Sequence, residues 1–191
     1  MSATEQFWAG EFGDAYLARN RIEWQTRLPF WKQITALTGG AGSAFEIGTN
    51  AGWNLLALRD IGWHVSGVDL NLKAVREAHE RGLDVSVCSA TEVGRLWPEA
   101  ADLAFTAGVL IHIPPDELRR AMESIVQASR RWVLAVEYWA PEEQMVTYRG
   151  NDDRLWRRPF AELYEEMGLR RVADGYAEGF DMCRYALMEK P

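Results

Sequence analysis

The strongest chemical signal in the chain is a run of an acidic residue and spaced glycines, Glu46-Ile47-Gly48-Thr49-Asn50-Ala51-Gly52, followed about one βαβ unit later by Val68-Asp69-Leu70. Glycine admits left-handed backbone and lets a ligand approach the main chain, and a helix starting just after it offers free N–H groups. An acidic residue ending the next strand can accept both hydroxyls of a ribose. The pattern describes a nucleoside site. The dinucleotide fingerprint Gly-x-Gly-x-x-Gly is interrupted, because Asn50 stands at its second glycine and Trp53 at its third. A pyrophosphate therefore lacks the bare backbone it packs against, which disfavours a nicotinamide oxidoreductase.

Three further groups of residues have types suited to chemistry. His112 follows Thr106-Ala107-Gly108 by four residues, in a Val-Leu-Ile-His-Ile setting where an imidazole can take a proton near neutral pH or serve as a backbone partner. Glu137 and Tyr138 end another apolar run, and the segment 144–156 collects Tyr148, Arg149, Asp152, Asp153 and Arg154. Aromatic and arginine side chains there can grip an anionic or planar ligand, or form ion pairs among themselves. Acidic Glu137, Asp152 and Asp153 would instead suit an amine. His112, Glu137 and Tyr148 are the catalytic candidates.

Short β-like runs alternate with helical ones from residue 43 onward, as in a parallel sheet covered by helices. Strands are expected at 43–48, 64–69, 84–88, 102–106 and 132–138. Helices are expected from Gly52 to Ile61, over 71–81 with Leu72, Val75 and His79 on one face, from Pro114-Pro115-Asp116 through Leu118, Met122, Ile125 and Val126, and from Pro159 to Met167. Two more strands, near 169–175 and 180–188, flank a turn at Ala177-Glu178-Gly179 and form a terminal antiparallel hairpin. Between strand five and the last helix lie about seventeen irregular residues, a length that is usually functional or disordered. Before the core, Trp8, Phe12 and Tyr16 recur at a spacing of four, and a helix opened by Pro29 carries Phe30, Ile34 and Leu37 up to Gly39-Gly40. Residues 1–40 are read as a helical lid and 41–191 as the core of one domain spanning 1–191.

The acidic-x-Gly-x-x-x-Gly form, together with Asp69, the strand-four phrase from Ala101 to Pro114 and the terminal hairpin, resembles the class I S-adenosylmethionine-dependent methyltransferases over about residues 40–190. The resemblance implies a Rossmann-like α/β fold with a mostly parallel seven-stranded sheet of order 3-2-1-4-5-7-6, with S-adenosylmethionine as cofactor. It implies that Glu46 orders the first turn or meets the methionine amino group, that Gly48, Thr49, Asn50 and Gly52 pass the sulfonium and ribose, and that Asp69 binds the ribose hydroxyls with Leu70 against adenine. Asp69 is also a candidate N-cap for the helix at 71–81. Where many relatives place an acidic residue near adenine, this chain has Cys88-Ser89-Ala90-Thr91-Glu92, so Ser89, Ala90 and Thr91 take that place. Thr106, Ala107 and Gly108 would face the methionine part. The N-terminal phrase 7–21 and the loop Tyr148-Arg149-Gly150-Asn151-Asp152-Asp153-Arg154-Leu155-Trp156 also resemble methylases associated with pseudaminic acid biosynthesis clusters. On that likeness Tyr16, Arg19 and Asn20 are candidates to touch the methionine carboxylate or the acceptor; Tyr138, Arg149 and Arg154, from the end of strand five and the loop after it, are further substrate-side candidates, and Trp8, Trp24, Trp53 and Trp139 lie in segments able to border the pocket.

At 191 residues, 48% hydrophobic and 26% charged, the chain suits one soluble domain. The formal net charge of -7 opposes sequence-independent binding to nucleic acid, although RNA methylation and a non-catalytic S-adenosylmethionine-binding module stay as alternatives. No apolar run approaches the roughly 18–20 residues of a membrane span, and the N-terminus lacks a signal-peptide pattern, so a cytoplasmic location is expected. Cys88 and Cys183 are far apart and three isolated histidines complete no metal constellation, so neither a disulfide framework nor a metal is expected. The leading expectation is metal-independent methyl transfer to an oxygen or nitrogen of a small polar acceptor: a sugar, a nucleotide-sugar or an amino-acid-like metabolite. Oligomeric state is left open.

Overall fold

A computed structural model describes all 191 residues. The parallel strands are β1 Ser43–Ile47, β2 His64–Asp69, β3 Asp84–Val87, β4 Ala101–Ala107 and β5 Ser129–Glu137. The central strands β1, β4 and β5 are mostly apolar and buried on both faces, as helix-covered parallel strands require, whereas β2 and the edge strand β3 are only partly buried. Helix α4 (Trp53–Asp60) joins β1 to β2 and α5 (Leu72–Glu80) joins β2 to β3; a single turn, α6 (Val93–Leu96), lies before β4, and α7 (Pro115–Ala128) leads into β5. In α7 the proline opens the first turn, Asp116 and Glu117 sit at the positive end of the helix dipole, and Leu118, Met122 and Ile125 form the buried stripe.

The sequence then makes a short ladder of β6 (Gln144–Met145) with β7 (Trp156–Arg157), continues into α8 (Phe160–Glu166), and closes with β8 (Arg170–Tyr176) and β9 (Arg184–Glu189). The main sheet runs β3-β2-β1-β4-β5-β9-β8, with β9 antiparallel to both β5 and β8. Counting only the strands of that sheet, this is the expected order 3-2-1-4-5-7-6. Two expectations change. The stretch after β5 is partly ordered by the β6–β7 ladder, which main-chain pairing stabilises without any strong β-pattern in its side chains. The terminal turn is longer than expected, because backbone bonds between Ala177, Phe180 and Cys183 delay β9 to Arg184.

The first forty residues divide rather than act as one lid. Helix α3 (Leu28–Leu37) fully buries Phe30, Trp31 and Ile34 against the sheet, with the Trp31 ring 4.9 Å from that of Phe105, so it is core. Helices α1 (Ala3–Ala9) and α2 (Glu11–Arg19) break at Gly10 and lie over the carboxyl ends of the strands. Their anchorage is partly polar, since Asp14 accepts a hydrogen bond from Asn71 at 2.9 Å and pairs with Lys73 and Arg21, just past α2, pairs with Glu77 at 2.6 Å, and partly apolar, through Leu17 buried against Ala51 and Ala74.

Candidate active site

The exit of β1 is tied to the end of β2 atom by atom. The N–H groups of Gly48 and Thr49 donate to the Val68 carbonyl at 2.8 and 3.0 Å, and the next N–H, that of Asn50, donates to Asp69 Oδ2 at 2.7 Å. Gly48 turns with φ +80°, and a Cβ there would lie 2.4 Å from Val109 Cγ2. Asn50 holds a left-handed φ of 50°, a conformation asparagine tolerates, and its Oδ1 accepts from the Ala51 N–H. Gly52 serves packing: it does not reach the cavity, and a Cβ would lie 2.1 Å from Leu83 Cδ1.

Asp69 does not cap the helix after β2. Asn71 does, its Oδ1 accepting from the Ala74 N–H at 3.0 Å, while Asp69 Oδ1 takes the Asn71 N–H at 2.7 Å. Each carboxylate oxygen of Asp69 thus holds one backbone N–H and keeps a second lone-pair site for a ligand hydroxyl. Burial pushes its pKa up, opposed by those same N–H groups. Beside it, Glu46 is buried, with Oε1 accepting from Asn54 Nδ2 at 2.6 Å and Oε2 without any partner. Burial pushes its pKa up to about 8. A buried, unpartnered carboxylate oxygen is costly unless a ligand donor meets it.

These groups open on a cavity of about 570 Å³, large enough for a nucleoside-type ligand with space beside it. The structure brings into its wall Glu46, Gly48, Thr49, Asn50, Asp69, Leu70, Ser89, Ala90, Thr91, Ala107 and Gly108, the catalytic candidates His112 and Tyr148, and Tyr16, Asn20, Tyr138 and Arg149 from the substrate-side set. Of the tryptophans, Trp8 and Trp53 line it, whereas Trp24 and Trp139 do not. Thr106, Glu137, Arg19 and Arg154 also stand outside the wall. Asn54, Asn71, Arg27 and Asp181 line it without having been singled out; only Asn71, two residues after Asp69 at a helix start, had a local signal.

Glu137 proves to be a buried support rather than a pocket group. Its carboxylate accepts from the N–H groups of Val109, Leu110 and Ile111 at 3.1 to 3.3 Å, holding the turn that carries His112; burial pushes its pKa up to about 7. Arg158, equally buried, donates from Nη1 to the carbonyls of Leu110 and Ile113 at 3.0 and 2.9 Å and from Nε to Glu143 at 2.6 Å. One buried anion and one buried cation therefore hold the two polarities of the same turn. His112 Nδ1 donates to the Arg154 carbonyl at 2.6 Å, which leaves Nε2 as the nitrogen with the lone pair. Burial pushes its pKa down to about 4, so the ring is neutral at physiological pH, packed 4.5 Å from Trp8 and 5.1 Å from Tyr148. On the far wall Tyr138 donates to Asp181 at 2.8 Å, and burial raises the phenol pKa.

A sheet of this order, with a glycine turn after β1, an acidic residue closing β2 and a cavity across the strand ends, defines the class I methyltransferase architecture. Residues 45–131, from the glycine turn through β5's first residues, match the family model described as a methyltransferase domain. No curated protein matches the chain in sequence. Among solved structures it is similar to 1,6-didemethyltoxoflavin-N1-methyltransferase of Burkholderia thailandensis, with bound 1,6-didemethyltoxoflavin and S-adenosylhomocysteine: 16% identity, TM-score 0.76, covering 100% of this chain and 91% of that one. It is also similar to magnesium protoporphyrin IX methyltransferase of Synechocystis PCC 6803 with bound S-adenosylhomocysteine, at 13% identity and TM-score 0.76 over 98% of each chain. A third is an S-adenosylmethionine-dependent methyltransferase of Archaeoglobus fulgidus, at 11% identity and TM-score 0.70 over 94% of this chain and 100% of that one. The chain has the fold of the S-adenosylmethionine-dependent methyltransferases, and its residues 45–131 match the methyltransferase-domain model.

Proposed function

We propose that the enzyme methylates an oxygen or nitrogen of a small polar acceptor bearing an anionic group. The observation that carries this reading is a set of three arginines without carboxylate partners around one aromatic cluster. Arg19 lies 5.1 Å over Phe12, Arg149 5.9 Å from Tyr148 and Arg154 5.0 Å over Phe7, while Phe7 stacks on Phe12 at 4.0 Å. Elsewhere most arginines are paired, as Arg81, Arg130, Arg158, Arg171 and Arg184 are. Like charges gathered at the rim of a site in a chain of net charge -7 favour an anion there. The small-molecule acceptors named for the Burkholderia and Synechocystis enzymes support a small-molecule acceptor.

When bound, S-adenosylmethionine supplies a methyl group on a sulfonium that is already a leaving group, so displacement needs alignment and water exclusion more than bond activation, and no metal. Asp69 and the glycine turn orient the donor from below. Helices α1 and α2 exclude water from above, as a lid. His112 Nε2 accepts the proton of an acceptor hydroxyl or amine, Tyr148 and Tyr138 border the acceptor, and Arg149 with Arg19 and Arg154 holds its anionic group. The deciding experiment is turnover on paired acceptors, each carboxylated or phosphorylated sugar set beside its neutral counterpart and scored by product mass. Methylation confined to the anionic member, with KM raised tenfold or more by Arg149→Met, is the expected result; equal turnover of neutral acceptors, salt-sensitive turnover of RNA, or cofactor binding with no acceptor turned over removes the reading.

A further inference from the structure

The part of the cavity around His112 is walled by rings. The Trp8 ring lies 4.5 Å from the imidazole and the Tyr148 ring 5.1 Å from it, and all three residues line the cavity. Trp8 is fixed in turn by edge contacts from its own end of the chain. Phe7, Phe12 and Tyr16 meet it at 5.8, 5.3 and 5.4 Å, with ring planes at 86 to 88 or 89° to the indole. Turning the indole would break three edge-to-face contacts, so it is a pre-set flat surface that α1 carries over the cavity.

Hydrogen-bonding groups on this stretch of wall are few. His112 keeps only the Nε2 lone pair, because Nδ1 is spent on the Arg154 carbonyl. The Trp8 Nε1–H is buried without a partner, and Tyr148 adds one hydroxyl. Glu137 is turned to the back of the His112 turn, where the N–H groups of Val109, Leu110 and Ile111 hold it. A polyol pressed against these rings strands hydroxyls, each at roughly a tenfold loss of affinity. A flat ring with one reacting hydroxyl asks for little more than the wall provides: apolar faces, one proton acceptor and one donor. Base strength points the same way. Burial holds the His112 pKa down at about 4, so the imidazole is a weak base that suits an acidic hydroxyl. A phenol ionises at about 10, against about 15.7 for water, the nearest reference for an aliphatic hydroxyl.

We infer that the preferred acceptor is a hydroxylated aromatic acid, its ring received against Trp8, His112 and Tyr148 and its anionic group at Arg149, and that Trp8 is the specificity-determining residue. The inference deepens the reading of an anionic acceptor and rests on it. In the step it implies, the acceptor hydroxyl gives its proton to His112 Nε2 and its oxygen forms the bond to the methyl carbon. The carbon–sulfur bond breaks at the same time, leaving its electron pair on sulfur.

Turnover of matched compounds with S-adenosylmethionine, scored by product mass, tests it. The set is ortho-, meta- and para-hydroxybenzoate, the saturated para-hydroxycyclohexanecarboxylate, glucuronate, and neutral phenol. For at least one hydroxybenzoate, kcat/KM is expected to exceed that of the saturated acid and of glucuronate by about tenfold or more. Trp8→Leu brings that ratio toward one and Trp8→Phe keeps most of it, with circular dichroism and S-adenosylhomocysteine calorimetry confirming the fold and the donor site of each variant. An equal fall for every acid in Trp8→Leu overturns the role of Trp8. Equal or better turnover of the saturated acid or glucuronate overturns the aromatic ring and leaves the anionic-acceptor reading standing. Phenol turned over as well as the hydroxybenzoates removes that reading and the inference with it. A methyl ester, recognised by its hydrolysis in mild alkali, overturns the inference alone, as does failure of every hydroxybenzoate with protein that binds S-adenosylhomocysteine.

Discussion

Asp69 fastens the turn after β1 through the Asn50 N–H and keeps lone pairs free toward the cavity, where the proposed function puts a ribose. Asp69→Ala should weaken S-adenosylhomocysteine about 100-fold in calorimetry, the loss of two charge-assisted hydrogen bonds, and unchanged affinity in a folded variant would remove Asp69 from the site. Glu46 makes a pH-dependent prediction. Its folded pKa of about 8 lies above the ordinary 4.5, so its contribution to the stability of the unliganded protein is fully present below about pH 4.5 and is lost as pH rises through about 8. Glu46→Gln should therefore raise Tm more at pH 8.5 than at pH 5. If Glu46 meets the ligand ammonium, it must ionise on binding, so at pH 7 roughly one proton is released per site. Binding enthalpies in buffers of different ionisation heat would read that release in the wild type, and its persistence in Glu46→Gln would assign the proton elsewhere.

The turn between β4 and α7 shows how an element can be held from outside itself. Its N–H groups meet Glu137 from β5 and its carbonyls meet Arg158 from beyond β7, so neither charge can be removed without stranding the other side of the clamp. Arg158→Met should cost about 3 kcal/mol, as when one partner of a buried ion pair is lost, and lower Tm by roughly 6–12 °C. A Tm within about 2 °C of wild type would show that the turn holds itself. The sequence made β1, β2 and α7 legible through their apolar runs, glycines and prolines. It made the support of the turn illegible, because Glu137 and Arg158 are twenty-one residues apart, and Glu137 at a strand end reads locally as a catalytic or amine-binding carboxylate. The strand Glu137 ends is plain in the pattern, but whether that end faces the cavity or the back of a turn depends on where the neighbouring strand's exit lies.

Across the whole molecule, α1 and α2 form the roof of the cavity and join the core through polar contacts to α5, one buried leucine, Leu17, against Ala51 and Ala74, and the Trp8 ring against His112. A ligand beneath them adds contacts they otherwise lack, so S-adenosylhomocysteine should slow amide hydrogen exchange over residues 3–20 several-fold, with little change in α3. Equal protection of both, or of neither, would show that α1 and α2 do not act as a lid. The division between these helices and α3 was not visible in the sequence, since all three carry aromatic residues at helical spacing and only burial distinguishes Trp31 from Trp8. By itself the sequence determined the alternation of core strands and helices, the glycine turn and the aspartate that ends β2, because these are encoded in spacing within one βαβ unit, and its resemblance to a family pointed from them to the methyl donor. The tertiary structure decided what each charge meets: Arg27 the β8–β9 turn, Glu137 the back of the His112 turn, and Arg19, Arg149 and Arg154 the rings of one aromatic cluster. Such pairings join residues tens to more than a hundred positions apart, and only packing brings them within hydrogen-bonding or stacking reach.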